Sequence, residues 1–244
     1  MVSESSTTEK GKKNVSRAFI AIIMIVLTVA AYLCMNRLYR RFHLPFLIPT
    51  LTTTLTIIVI LVCFQVPYKT YMIGGQWISL LLGPAIVSLA YPLYKQRDIL
   101  LKNLVPVLGG VFVGSIVGII SGILFAQSLG FSKSLIFSLV PKSITIPVAM
   151  QIASELGGVP PLAAVFVMIA GFTGAVFGPY IFNRFRITDF LGRGIALGSA
   201  SHAIGIGKAL EYGEHTVSMG SVAMTLSAIS GSIFGPLIVW FFYS

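Results

Sequence analysis

Residues 103–127 read NLVPVLGGVFVGSIVGIISGILFAQ. The run carries no charge and exceeds the roughly 20 apolar residues that a helix needs to cross a bilayer. Gly110, Gly114, Gly118 and Gly122 recur every fourth position, which puts them on one face of a helix. Such a ridge of small residues lets two membrane helices bring their backbones together. The stretch therefore predicts a transmembrane helix with a seam for a neighbour.

The rest of the chain agrees. Of 244 residues, 56% are hydrophobic and 10% charged, with mean hydropathy +0.92, against about 25% charged in soluble domains. This composition excludes a soluble enzyme, a nucleic-acid-binding domain and a secreted disulfide scaffold. The net charge of +10 is then membrane electrostatics, Lys and Arg at span ends beside anionic headgroups. Cys34 and Cys63 fall in separate apolar runs and are expected as small core residues. No CxxC, HExxH, GxSxG or P-loop pattern occurs, and His43, His202 and His215 are scattered. No enzyme, cofactor or metal site is expected.

Working outward, residues 1–17 are polar and basic and are expected to be disordered. Residues 18–35 form a first span, since the run is long and lacks a small-residue cleavage site. Further hydrophobic segments cover 45–66, 71–94, 103–127, 132–156, 159–183, 190–210 and 216–242. The fold class is an all-α integral membrane protein of about seven to eight transmembrane segments, residues 18–244 being one polytopic membrane domain. Basic residues divide almost evenly between the two sides, with a slight excess on the side of the tail, which places the tail inside. Gly83-Pro84, Gly178-Pro179 and Gly235-Pro236 recur and suggest inverted three-helix repeats over 71–156 and 159–242.

Two segments should be discontinuous. One holds Pro141-Lys142-Ser143-Ile144-Thr145-Ile146-Pro147. Each proline removes a backbone donor and drives the preceding residue out of the α region, so two should split the helix. Thr145 is placed to cap the second half, with Pro147 in its first turn. The other holds Gly192, Gly194, Gly198, Gly205 and Gly207 around His202. Irregular backbone at membrane depth is tolerated where it lines a cavity or is buried in protein. A plain proline kink with glycine packing is the competing account.

The buried ionisable residues bear on that choice, because Lys within a span costs about 2.5–3.5 kcal/mol on insertion scales. Lys142 with Ser143, Thr145 and the first amides of the following half-helix makes a small anion site. The alternative is a snorkelling lysine, or one paired to Glu155. His202, set among Ser199, Ser201 and Gly205, could meet a carboxylate or carry a proton, or sit in the core bonded to a neighbouring helix. Lys208 and Glu211 are expected to pair at i, i+3. With Glu155 and Glu211 both away from mid-span, a cationic substrate is not expected.

These residues also resemble the LrgB/CidB family of bacterial membrane proteins. The resemblance lies in Pro141 to Ala149, Glu155-Leu156-Gly157-Gly158, Arg193 to Gly198, His202-Ala203-Ile204-Gly205 and Ala209 to Glu214. It spans residues 74–242 and is densest over 141–214. Ile206-Gly207 departs from it, the family more often having Thr-Ala there. The resemblance implies two functions. One is modulation of murein hydrolases and autolysis beside a small holin-like LrgA/CidA partner. The other is transport of small carboxylates, with pyruvate in bacteria and glycolate and glycerate in a related plastid protein.

Together these readings predict a multi-pass protein of the bacterial cell membrane that carries a small monocarboxylate with an LrgA/CidA-like partner, as a homo- or hetero-oligomer, and binds no nucleic acid. The substrate-binding residues would be Lys142, Ser143, Thr145, Pro147, Ser199, His202 and Gly205. The alternative is an antiholin- or holin-like regulator of murein hydrolases acting through protein contacts alone.

Overall fold

The computed structural model describes residues 2–42, 49–88 and 90–243, and their regular structure is entirely helical. The chain divides into two compact units, Met1–Gly83 and Pro84–Ser244.

In the first unit α1 (Val2–Phe42) precedes α2 (Pro49–Cys63) and α3 (Tyr68–Leu80). The apolar part of α1, Arg17–Arg41, is long enough to cross a membrane. The polar residues expected as a disordered tail continue that helix toward Val2. Once a helix is nucleated, each further residue adds a hydrogen bond at little cost. Gly74 brings α3 against the Ala21 carbonyl and Met24 of α1, and the Thr28 and Tyr71 hydroxyls meet at 3.1 Å. Cys34 and Cys63 are free and exposed, not in the core. In a bilayer an apolar residue is as well placed facing lipid as facing protein.

Over 71–94 the described residues hold no single helix of membrane length. The segment becomes α3, α4 (Leu82–Ser88) and α5 (Ala90–Lys95). Pro84 cannot donate to Leu80, and its ring crowds that carbonyl, so α3 stops at Leu80. The short α6 (Arg97–Lys102) follows in the second unit.

Three long helices then frame the second unit: α7 (Leu104–Ser128), α10 (Pro160–Arg184) and α12 (Glu214–Tyr243). Each is long and apolar enough to cross a membrane, which with α1 makes four such helices among the described residues. Their outward faces carry exposed Val113, Phe125, Ile169, Phe177, Ile233 and Leu237, the pattern of a surface that meets lipid.

The two segments between these helices, 132–156 and 190–210, were expected as further crossings. Each instead turns back on itself. The first consists of α8 (Lys133–Leu139), a 3₁₀ turn (Val140–Ser143) and α9 (Ile146–Leu156). Its ends lie together: Val159 N–H donates to Ser138 Oγ at 2.7 Å, and Leu156 packs with Ile136 and Val140. The second is α11 (Phe190–Ala209) with a 3₁₀ turn (Leu210–Tyr212). The Arg193 guanidinium stacks 4.7 Å from the Tyr212 ring centroid, and Ala209 packs with Leu197 and Phe182. A Cβ on Gly205 would overlap the Leu197 carbonyl, whereas eight residues of straight helix would separate the two by about 12 Å.

The two hairpins open toward opposite ends of the frame. At one end Gln127 and Phe137 meet Tyr243, by a 3.0 Å hydrogen bond and a 5.2 Å ring contact. At the other, Leu191 and Ile195 pack with Val107 and Met219, Phe182 meets Tyr212 at 5.9 Å and Phe190 meets His215 at 5.7 Å.

Candidate functional site

The turn of the first hairpin follows from its prolines. Pro141 departs from helical geometry (φ −83°, ψ 18°), and Ile144 and Thr145 are extended. Helix α9 restarts at Ile146 with Pro147 in its first turn. Thr145 holds the N-cap position, but its hydroxyl makes no capping bond, contrary to the expected cap.

The turn of the second hairpin sits on His202, whose backbone lies at φ 50°, ψ −132°. This region is costly for any residue with a Cβ, about 1–3 kcal/mol, and persists only where its surroundings impose it. Those surroundings are glycines. A Cβ on Gly198 would overlap the Gly220 carbonyl of α12, and one on Gly194 would press Met219 and the Thr216 carbonyl. At the hairpin's start, Asp189 caps α11 by accepting from Gly192 N–H at 2.7 Å.

The glycine ridge of α7 holds both turns. Gly110 faces Ile195 and Gly114 faces Ser199, both of the second hairpin; Gly118 faces Ser143 and Gly122 faces Lys142, both of the first. The change of partner falls at the middle of α7. Glycines on the other two long helices do the same work: Gly174 and Gly178 of α10 face Ser201 and Leu197, while Gly231 and Gly235 of α12 face Ile144 and Val140. What reads in sequence as packing ridges between plain helices is the room that admits the two turns.

Lys142 lies partly buried, and its ammonium donates to the Gly118 carbonyl. Gly122 leaves room for the ammonium, which a Cβ there would crowd. Glu155 is not its partner: the Glu155 carboxylate accepts from Gln151 Nε2 at 2.7 Å. Among the described residues no carboxylate pairs with Lys142. Lys208 and Glu211 do pair, at 2.7 Å.

His202 is 3% exposed, and its helix α11 packs against the 3₁₀ turn that carries Ser143. The two turns therefore touch. The Nε2 of His202 has no partner among the described residues. Lys142 and Ser143 thus lie against α7, and the hairpin that carries His202 packs on the same turn. Thr145 and Pro147 stand on the same turn, at the start of α9. Ser199 donates to the Ile195 carbonyl at 2.6 Å and faces Gly114. Gly205 serves the close return of the chain past Leu197.

A cavity of about 520 Å³ opens beside α9, lined among others by Val148, Gln151, Glu155, Thr225 and Ser232. None of the seven expected site residues lines it.

Sequence reasoning missed one member of the neighbourhood. Ser227 of α12 is 1% exposed and its hydroxyl has no partner among the described residues. In sequence it is a small residue four positions before Gly231, and nothing local marks it as different.

Comparison with known proteins gives the family. Residues 28–241 match the model of the LrgB-like family, a longer stretch than the 74–242 that carried the resemblance. The uncharacterised protein YxaC of Bacillus subtilis (strain 168) is 61% identical over 227 residues, covering 93% of this chain and 99% of the relative. The uncharacterised protein YwbG of the same organism is 38% identical, covering 91% and 99%. The holin-like protein CidB of Staphylococcus aureus (strain N315) is 35% identical, covering 91% and 97%. No solved structure matches the chain. Four membrane-length apolar helices and these relatives make it a multi-pass bacterial membrane protein, and it belongs to the LrgB-like family.

Proposed function

We propose that the protein is a carrier for small monocarboxylates of the pyruvate or glycolate type, with the two hairpins entering the bilayer from opposite faces and gripping the solute between their turns. The observation that carries this reading is the meeting of the turns: on one, set against α7, a lysine with no acidic partner among the described residues, and on the other a buried histidine nitrogen unpaired among them. A carboxylate would replace the Gly118 carbonyl as the acceptor for Lys142 and could take further hydrogen bonds from Ser143 and Thr145. The first amides of α9 add the positive end of a helix dipole. His202 would contact the solute or a coupled proton. Broken segments carrying a buried cation suit a transporter site, and an unselective hole has no use for them.

The hairpin arrangement also orients this unit. Lys95, Arg97, Lys102, Arg184, Arg186, Arg193 and Lys208 fall at the end where the second hairpin opens, and Lys133 at the other. By the positive-inside rule the arginine-rich end is cytoplasmic. Paired with the opposed hairpins, this replaces the three-helix repeats of 71–156 and 159–242 by a shorter one, α7 with its hairpin and α10 with its hairpin, in inverted orientation.

The second reading is favoured by the names of relatives such as the holin-like protein CidB: a regulator of murein hydrolase activity and lysis, acting with an LrgA/CidA-like partner. On the carrier reading, a link to autolysis would follow from altered carboxylate flux, and the small partner would assist transport.

Proteoliposomes separate the two. Pyruvate uptake should saturate, be competed by other small carboxylates and proceed without release of a trapped fluorescent dye. Dye release without saturable uptake, with or without the partner, would establish the lytic reading instead.

A further inference from the structure

Most hydroxyls within α12 follow one habit. Thr216 donates to the Tyr212 carbonyl, Ser221 to Val217, Thr225 to Ser221, Ser230 to Leu226 and Ser232 to Ala228, at 2.8–3.2 Å. Each bonds one turn back along its own helix, the usual way to satisfy a hydroxyl where water is scarce. Ser227 breaks the habit. Its side chain is buried, yet its oxygen has no partner among the described residues.

Its position on the helix gives the reason. Gly220, Ser227 and Gly231 lie at spacings of seven and four, on one face of α12. Gly220 presents its carbonyl to Gly198 of the second hairpin, and Gly231 receives Ile144 beside the turn of the first. Ser227 lies between these two contacts, level with the junction of the turns. His202, four residues beyond Gly198, brings a second unpaired buried polar atom there. A buried hydroxyl and a buried imidazole nitrogen left unpaired cost about 1–3 kcal/mol each unless something binds them.

We propose that Ser227 is a solute-binding residue: its hydroxyl forms the wall facing Lys142 and Ser143 and hydrogen-bonds the bound solute opposite the lysine. The proposal rests on the carrier reading for the identity of the solute.

The test uses two readouts. In a Cys34→Ala, Cys63→Ala background, Ser227→Cys should react with 2-aminoethyl methanethiosulfonate in membranes, while Ser230→Cys, equally buried but paired to its own helix, should not. An unreactive Ser227→Cys, or equal reaction at both positions, overturns the proposal whatever the protein carries. Pyruvate should slow the Ser227→Cys reaction; labelling without such protection would keep the chamber and sink the carboxylate reading alone. In uptake, Ser227→Ala should raise KM about tenfold, the worth of one hydrogen bond, and Ser230→Ala should leave it unchanged. An unaltered KM in a Ser227→Ala protein that still transports would also overturn the proposal.

Discussion

The two hairpins reach the same shape by different chemistry. The first turns because Pro141 and Pro147 deny the helix its hydrogen bonds, so its break is local and would survive in isolation. The second has no proline between Phe190 and Tyr212. It turns at a histidine held at positive φ, because glycines on either side let α12 and the returning chain come close. One break is imposed by covalent structure and the other by packing. The packing-dependent one carries the strain, and the proline-built one carries the charge.

The sharpest way to break this comparison is topological. Single cysteines at Ser132 and at Thr188, in a Cys34→Ala, Cys63→Ala background, should label with an impermeant maleimide from opposite sides of the membrane, Thr188 from the cytoplasm. Labelling of both from one side would mean that one segment crosses completely, and the opposed-hairpin arrangement would fall.

Next in size is the lysine. Lys142→Met preserves length and removes the charge that holds the carboxylate; uptake should fall at least about 100-fold, the scale of a lost charged hydrogen bond, with normal expression. Lys142→Arg should also be poor, since a planar guanidinium cannot take a point charge's place between Gly118 and Gly122. Wild-type uptake in the Met protein would make Lys142 a structural residue.

The packing-built turn should be the more fragile one. Gly198→Ala drives a methyl into the Gly220 carbonyl and should cost about 1–3 kcal/mol or more, read as a lower Tm in detergent. Gly207→Ala, where a Cβ meets nothing within 4 Å, should leave Tm unchanged or slightly raised. Equal effects would mean that α11 does not turn back as described.

The smallest effect separates strain from use at His202. His202→Gly should relieve the positive-φ cost and leave Tm unchanged or higher, while uptake falls. His202→Gln should flatten the pH dependence of uptake and spare exchange at equal pH. A Gln protein with the wild-type pH profile would assign His202 to packing.

Much of this was legible in residues alone. The bilayer as solvent follows from composition, the break at Pro141–Pro147 from proline's missing donor, and the candidate cation from one lysine in an apolar run. The family was legible in the motifs from Pro141 to Glu214. The number of crossings was not: hydropathy cannot tell a span from a hairpin, because both are apolar and both are buried. Nor was the role of the glycine ridges, which look the same whether they receive a straight helix or a turn.

The sequence by itself determined the solvent, the helical class and the position of the proline break, since each depends on the chemistry of a residue and its nearest neighbours. Tertiary structure alone decided that 133–158 and 190–212 return to the end they started from. It also packed the second hairpin on the turn that carries Ser143 and left Ser227 without the bond that the other buried hydroxyls of α12 make. Those are relations between residues that are not sequence neighbours, 21 positions apart for Ser138 and Val159, and they exist only once three glycine-faced helices have closed around both turns.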